Sequence, residues 1–312
     1  MKDFSIAIHG GAGTILRKDL TEVKEKAYRK GLEQAIVAGV EILKHGGKAV
    51  DAVENAVVSL EDNPLFNAGK GSVFNADGKH EMDASIMDGS NLQAGSVAQV
   101  SAIRNPITLS RLVMDKSDHV FLTGAGAMQF AESMNCKEEE DSYFYSELRY
   151  RQWMEVKGSD KFQLDHSPSH SKDKKFGTVG AVALDIYGNI AAATSTGGMT
   201  NKRFGRVGDS PLIGCGNYAN NETCAVSCTG SGEYFIRGVV AYDVSCLMEY
   251  KGLTLEDACN EVIHKRLKKI GGVGGLIAVD SVGNIALTFN TEGMYRADQK
   301  GNNEPKIKIY SE

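Results

Sequence analysis

The sequence predicts a layered α/β fold, on three observations. Short apolar strands stand near both ends of the 312 residues, helical stripes lie between them, and glycine is in excess. The first strand is the apolar run 4–8. Residues 20–45 then place Val23, Ala27, Leu32, Ala35, Ile36, Val40 and Leu43 on one helical face. Residues 49–60 repeat that pattern and stop at Asp62-Asn63-Pro64, where proline closes the helix. Two apolar runs flank the turn Asp185-Ile186-Tyr187-Gly188-Asn189 and read as a β-hairpin. Residues 212–221 are irregular, while 235–250 and 255–268 read as two further helices. Glycine numbers 35 against 5 prolines, where average usage of about 7% gives roughly 22. That excess fits close-packed sheets and sites lined by backbone.

A second hairpin echoes the first. Gly180-Ala181-Val182-Ala183-Leu184-Asp185 and its return strand match residues 275–286 at an offset of 95, and the match runs on from Thr196-Gly197-Gly198-Met199 to Thr291-Glu292-Gly293-Met294. The two hairpins are expected as neighbours in one sheet. At this offset Gly177-Thr178 corresponds to Gly272-Val273, and valine has no hydroxyl, so only the first copy can carry a nucleophile.

Thr178 marks an abrupt change of character. The polar stretch before it, rich in Ser, Lys, Asp and His, is too hydrophilic to bury, and an apolar strand begins directly after it. A core strand starting at the end of a mobile linker (157–177) suggests a chain built to be cut at Gly177–Thr178. Thr178 would then carry nucleophile and base, its hydroxyl and its own α-amine, in one residue. The alternative is an ordinary strand-opening threonine. The hairpin register places Thr196 opposite Thr178 within about one residue. Downstream lie a glycine-rich loop with Arg206 and Asp209 three apart, and the cluster Thr229-Gly230-Ser231-Gly232, whose glycines free backbone N–H groups for an oxyanion.

Together these segments resemble the plant-type asparaginase and isoaspartyl peptidase family of N-terminal-nucleophile hydrolases. The likeness spans about residues 4 to 297 and is most like the bacterial isoaspartyl peptidases. Its marks are Ile6-Ala7-Ile8-His9-Gly10-Gly11-Ala12-Gly13, Asn63-Pro64-Leu65-Phe66-Asn67-Ala68-Gly69-Lys70-Gly71, Glu81-Met82-Asp83-Ala84, Gly177-Thr178-Val179-Gly180, Thr196-Gly197-Gly198, Arg206-Val207-Gly208-Asp209-Ser210 and Thr229-Gly230-Ser231-Gly232-Glu233, in family order. Ser231 stands where threonine is expected, and keeps a hydroxyl.

The resemblance implies a four-layer αββα sandwich, one domain over 1–312 cut into an α chain (1–177) and a β chain (178–312), and hydrolysis of β-aspartyl dipeptides and L-asparagine. It implies catalytic roles for Thr178, Thr196, Thr229 and Gly230, the last two as oxyanion donors. Arg206 would fork onto the substrate α-carboxylate and Asp209 meet its α-ammonium. Val207, Gly208, Ser231 and Gly232 would complete the substrate site, and the Asn67 amide would reach the nucleophile. Carbonyls of Leu60, Glu61, Asn63, Phe66, Ala68 and Lys70 would hold a structural sodium ion. No catalytic cofactor is implied, and the cleaved αβ units would pair as a homodimer.

Other function classes are disfavoured. A net charge of −5 offers no basic patch for nucleic acid. No apolar run approaches 18 residues and no signal-like segment opens the chain, so a cytoplasmic enzyme away from membranes is expected. The six cysteines lack CxxC spacing and read as free thiols. Gly10-Gly11-Ala12-Gly13 lacks the third glycine and the acidic residue of a dinucleotide site. The His166/His170 pair brackets Pro168, which breaks the helix a metal pair needs. Glu138-Glu139-Glu140-Asp141 reads as a solvated loop, and His9 as a hydrogen-bonded strand residue, leaving the α-amine as the one group titrating on the acid side of activity. A glycosylasparaginase is the runner-up, and an uncleaved small-molecule binding protein keeping the Arg206/Asp209 pocket is the reading from another class.

Overall fold

The computed structural model describes residues 3–159 and 177–311; the expected linker from 160 to 176, with its two histidines, lies outside them. The strands are β1 (Ser5–Gly13), β2 (Met82–Asp88), β3 (Ala94–Val100), β4 (Phe121–Thr123), β5 (Val179–Leu184), β6 (Ile190–Thr196), β7 (Asn217–Ala219), β8 (Cys224–Gly230), β9 (Gly274–Asp280), β10 (Ile285–Phe289), β11 (Gly293–Lys300) and β12 (Lys306–Tyr310). Eight of them form one sheet in the order β12-β11-β1-β5-β6-β2-β3-β4, and four form a second in the order β10-β9-β8-β7.

The alternation of strand side chains sorts the layers. In β5, Val179, Ala181 and Ala183 pack under α1 (Glu22–Lys44) and α2 (Ala49–Glu61), while Val182 and Leu184 face the second sheet. In β9, Ile277 and Val279 face the first sheet, and Leu276 and Ala278 pack against helices on the far side. Two sheets face to face, each covered outside by helices, make the αββα sandwich.

The echoing hairpins do not share a sheet. Their registers are equivalent, with Val182 opposite Ala192 and Ile277 opposite Leu287, but one lies in each sheet. The expectation of neighbours fails because β1 and β6 already occupy both edges of β5.

The first helix starts at Glu22, capped by Thr21, whose hydroxyl accepts from Lys24 N, and Val23 points into solvent rather than onto the stripe. The single helix expected over 235–250 is two, α3 (Gly232–Gly238) and α4 (Val240–Lys251), broken at Val239 with φ of 47°. The next, α5 (Leu255–Asn260), continues as a π-helical turn over Glu261–Leu267. Glu139 is not simply solvated, for it pairs with Arg104 and Lys137. All six cysteines are free, with Cys224, Cys228 and Cys259 buried. No helix among the described residues is long and apolar enough to cross a membrane.

Candidate active site

The inward faces of both sheets are apolar along most of their length and turn polar at one end. In the first sheet the residues in step with Val182 and Ala192 are Gly180 and Thr178 on β5, and Thr194 and Thr196 on β6. In the second, the residues in step with Ala225 on β8 are Ser227 and Thr229. Strand period alone therefore aims four hydroxyls and the candidate nucleophile into one slot.

Within it, Thr178 Oγ1 donates to Thr196 Oγ1 at 3.2 Å, and Thr196 Oγ1 also accepts from Gly198 N at 3.0 Å. The ladder from Val179 opposite Ser195 to Leu184 opposite Ile190 is the register that the turn at Tyr187 predicts. Gly177 and Thr178 are both buried. Thr229 is fully buried, and its Oγ1 accepts from Ala12 N at 3.3 Å, which leaves its hydroxyl hydrogen to donate. That contact ties Thr229 to the end of β1 that runs beside Thr178. Gly230 has no room for a side chain, since a Cβ there would meet Phe235 and the Val273 carbonyl.

Arg206 and Asp209 do not pair with each other. Arg206 Nε donates to Glu233 Oε1 at 2.9 Å, and its Nη groups lie over Gly208 and Gly232. A Cβ on Gly232 would sit 2.7 Å from Arg206 Nη2 and 3.0 Å from Asp209 Oδ1, so both charges converge over this glycine. Asp209 is 3% exposed, and neither its Oδ2 nor the buried Ser231 Oγ has a hydrogen-bond partner. Buried polar atoms are seldom left so, and water, an ion or a ligand can complete them. Burial pushes the Asp209 carboxyl up to about 7, against the pull of the Arg206 charge. Asp209 is therefore a titrating group at this site that the sequence did not indicate. Val207 is half-buried between these two anchors, and Ser210 O accepts from Ser85 Oγ at 2.6 Å, fixing the loop to β2.

Asn67 serves the turn after Thr196. Its Nδ2 donates to Gly198 O at 2.7 Å, its carbonyl accepts from Gly197 N, and its Oδ1 accepts from Val73 N. The expected reach of this amide to the nucleophile is replaced by that contact with Gly198. His9 is fully buried, and burial drives its imidazole down to about 3, with only a hydrogen bond to Thr178 O opposing the shift.

The loop after α2 curls so that backbone oxygens crowd inward. Gly69 has φ of 50°, and a Cβ on it would lie 2.6 Å from Glu61 O; one on Gly71 would run into Phe66 O and Pro64 O. Carbonyls of Asn63, Phe66 and Ala68 each accept one backbone N–H and keep a second lone pair, while Leu60 O accepts from both Asp62 N and Asn63 N. Such a bed of neutral oxygens fits a hard cation. Lys70 holds its ammonium 4.9 Å from the Tyr143 ring centre. The loop's far side is clamped by Arg149, 1% exposed, whose Nε donates to Gly71 O at 3.0 Å and Nη2 to Leu65 O at 3.4 Å. Arg149 and Glu233 are the two residues that sequence reasoning missed. Glu233 ends a quoted motif and could have been found as the counter-charge for Arg206, whereas Arg149 sits in an unremarkable polar helix.

Comparison with known proteins agrees with this geometry. A family described as asparaginase matches residues 2–309. The chain is 52% identical to an isoaspartyl peptidase of Salmonella typhimurium, over 98% of each chain, and 52% identical to that of Escherichia coli, over 98% of this chain and 96% of the relative. It is 44% identical to the human isoaspartyl peptidase/L-asparaginase, over 93% and 91%. With every segment of the slot inside the matched span, the chain belongs to the asparaginase family.

Proposed function

We propose that this protein is an autoprocessing threonine hydrolase that cleaves β-aspartyl dipeptides and the side-chain amide of L-asparagine. The observation that carries the proposal is the buried hydroxyl pair Thr178–Thr196 at the start of a core strand, in a chain that also converges Arg206 and Asp209 over Gly232. In maturation, Thr178 Oγ attacks the Gly177 carbonyl, the acyl group shifts from nitrogen to oxygen, and water hydrolyses the ester. This leaves chains 1–177 and 178–312.

In the mature enzyme the α-amine of Thr178, with an ordinary pKa of about 7.7–8.0, accepts the proton as the hydroxyl attacks the substrate side-chain carbonyl. Thr196 orients the nucleophile. The Thr229 hydroxyl and Gly230 N–H receive the developing oxyanion, where one donor is typically worth about 3–4 kcal/mol. The leaving amine departs with a proton from the ammonium, and water regenerates Thr178 by the reverse sequence. The Arg206 Nη groups take the α-carboxylate and Asp209 Oδ2 the α-ammonium, both over Gly232. A sodium ion on the carbonyls of Leu60, Glu61, Asn63, Phe66, Ala68 and Lys70 would stiffen the loop that carries Asn67, and two αβ units would pair as a homodimer.

Denaturing mass spectrometry tests the reading. The wild-type protein should give two chains and Thr178→Ala one chain of 312 residues without activity. Efficient cleavage of Thr178→Ala, or an uncut and active wild type, rejects it.

A further inference from the structure

The carbonyl of Thr178 lies past the end of the β1–β5 ladder. The pairing stops at His9 opposite Gly180, and continuing it would bring Gly11 opposite Thr178. Instead β1 bulges between His9 and Ala12, with Gly11 at φ of 110°. The His9 side chain takes over there, its Nδ1 lying 3.0 Å from Thr178 O.

A carbonyl can only accept, so Nδ1 carries the hydrogen and Nε2 is left as an acceptor. Nε2 lies 2.9 Å from Ser227 Oγ, which must donate to it, and Thr194 Oγ1 lies 2.7 Å from Ser227 Oγ and 3.2 Å from Gly216 O, two acceptors for its one hydrogen. Thr194 itself accepts from Asn217 Nδ2 at 3.3 Å, and the other hydrogen of that amide goes to Ser85 O at 3.0 Å. The hydrogens of Ser227 and His9 are thus directed one way, from the second sheet toward Thr178, and each bond polarises the next. The series needs a glycine at 180, since a Cβ there would collide with Ser227 Oγ and His9 Nε2.

Resting on the reading of Thr178 as the nucleophile, we propose that His9 is a positioning residue. Its Nδ1–H holds the Thr178 peptide plane still once the chain ends at that residue. A free terminus has lost the restraint of the preceding peptide, and the Oγ–Thr196 contact alone leaves rotation about the Thr178 Cα–C bond. The His9 bond fixes that rotation and, with it, the direction of the α-amine. His9 neither touches substrate nor moves a proton; burial keeps it neutral throughout the working pH range.

Two isosteres separate positioning from bulk packing. In His9→Asn the amide nitrogen can occupy the place of Nδ1, keeping the donor to Thr178 O. In His9→Gln the amide reaches toward Ser227 and loses it. Per cleaved chain, His9→Asn should keep kcat within about threefold, and His9→Gln should lose about 10²-fold in kcat with KM unchanged. Cleavage by His9→Asn alone also supports the proposal. Equal loss in both variants, failure of both to cleave, or an unaltered kcat in His9→Gln overturns it. Nitrogen-15 NMR of the wild-type imidazole is independent of activity: protonated Nδ1 is expected, and protonated Nε2 overturns the proposal. Full activity in Thr178→Ala would instead sink the nucleophile reading itself.

Discussion

Thr178 and Thr196 meet hydroxyl to hydroxyl at 3.2 Å, one step beyond the last ladder pair, Val179 opposite Ser195. Because Thr196 Oγ1 also accepts from Gly198 N, the same oxygen meets the Thr178 hydroxyl and pins the turn behind it. Thr196→Ala should lower kcat about ten- to hundredfold through misplacement of Thr178. Thr196→Ser keeps both bonds and should stay within a few-fold of wild type. Steady-state kinetics on the cleaved variants checks both, and a silent Thr196→Ala would remove the orienting role.

Arg206 offers its Nη groups to a ligand only because Glu233 holds its Nε. Arg206→Ala should cleave normally yet lose about 10–100-fold in kcat/KM for substrates with a free α-carboxylate, a charged hydrogen bond being worth about 1.5–3 kcal/mol. An α-carboxamide analogue should hardly distinguish the variant from wild type. Glu233→Gln should show the same preference with a smaller loss, since it frees the guanidinium to swing from the pocket.

The acid side of the pH profile should report two protons. Asp209 must be ionised to meet an ammonium, and burial pushes its pKa up to about 7, with Arg206 lowering it and Glu233 and Asp83 raising it. As pH falls through 7, Asp209 becomes neutral and substrate capture declines, while the α-amine is protonated over an adjoining range. Asp209→Asn should reduce kcat/KM and leave a single-proton limb. Stability follows the opposite sense. A carboxyl whose folded pKa exceeds its unfolded value near 3.8 costs stability once it ionises, so Asp209→Asn should raise the thermal midpoint at pH 8 by an amount that vanishes toward pH 4.

Exchange of sodium for choline in the buffer should lower the thermal midpoint, by roughly 1–2 °C for each kcal/mol of ion binding lost. Gly69→Ala, whose Cβ would press on Glu61 O, should abolish that dependence. A midpoint indifferent to sodium in the wild type would remove the ion from the loop.

What the sequence made legible was local. The turn at Tyr187 set a register, and strand period then aimed Thr178, Thr196 and Thr229 inward. Contacts between distant segments were not legible. Nothing in the chain around Asn67 says that its amide is taken up by Gly198, and nothing near Arg149 marks it as a buried clamp on Leu65 and Gly71. The break at Val239 escaped because a β-branched residue is a poor guide to left-handed backbone. The second hairpin was visible, but its sheet depends on which strand edges remain open.

The strand order of the larger sheet has a consequence for a chain severed at Gly177–Thr178. Residues before that bond supply β1, β2, β3 and β4, and those after it supply the rest, yet β1 lies between β11 and β5, and β2 lies against β6. The two products are interwoven along three hydrogen-bonded seams, so neither can leave without dismantling the sheet. Before the cut, folding is an affair of one molecule with itself. After it, recovery from denaturation requires two molecules to find each other, and its rate depends on concentration. Such a cut would thereby leave an object that persists by the slowness of its unfolding.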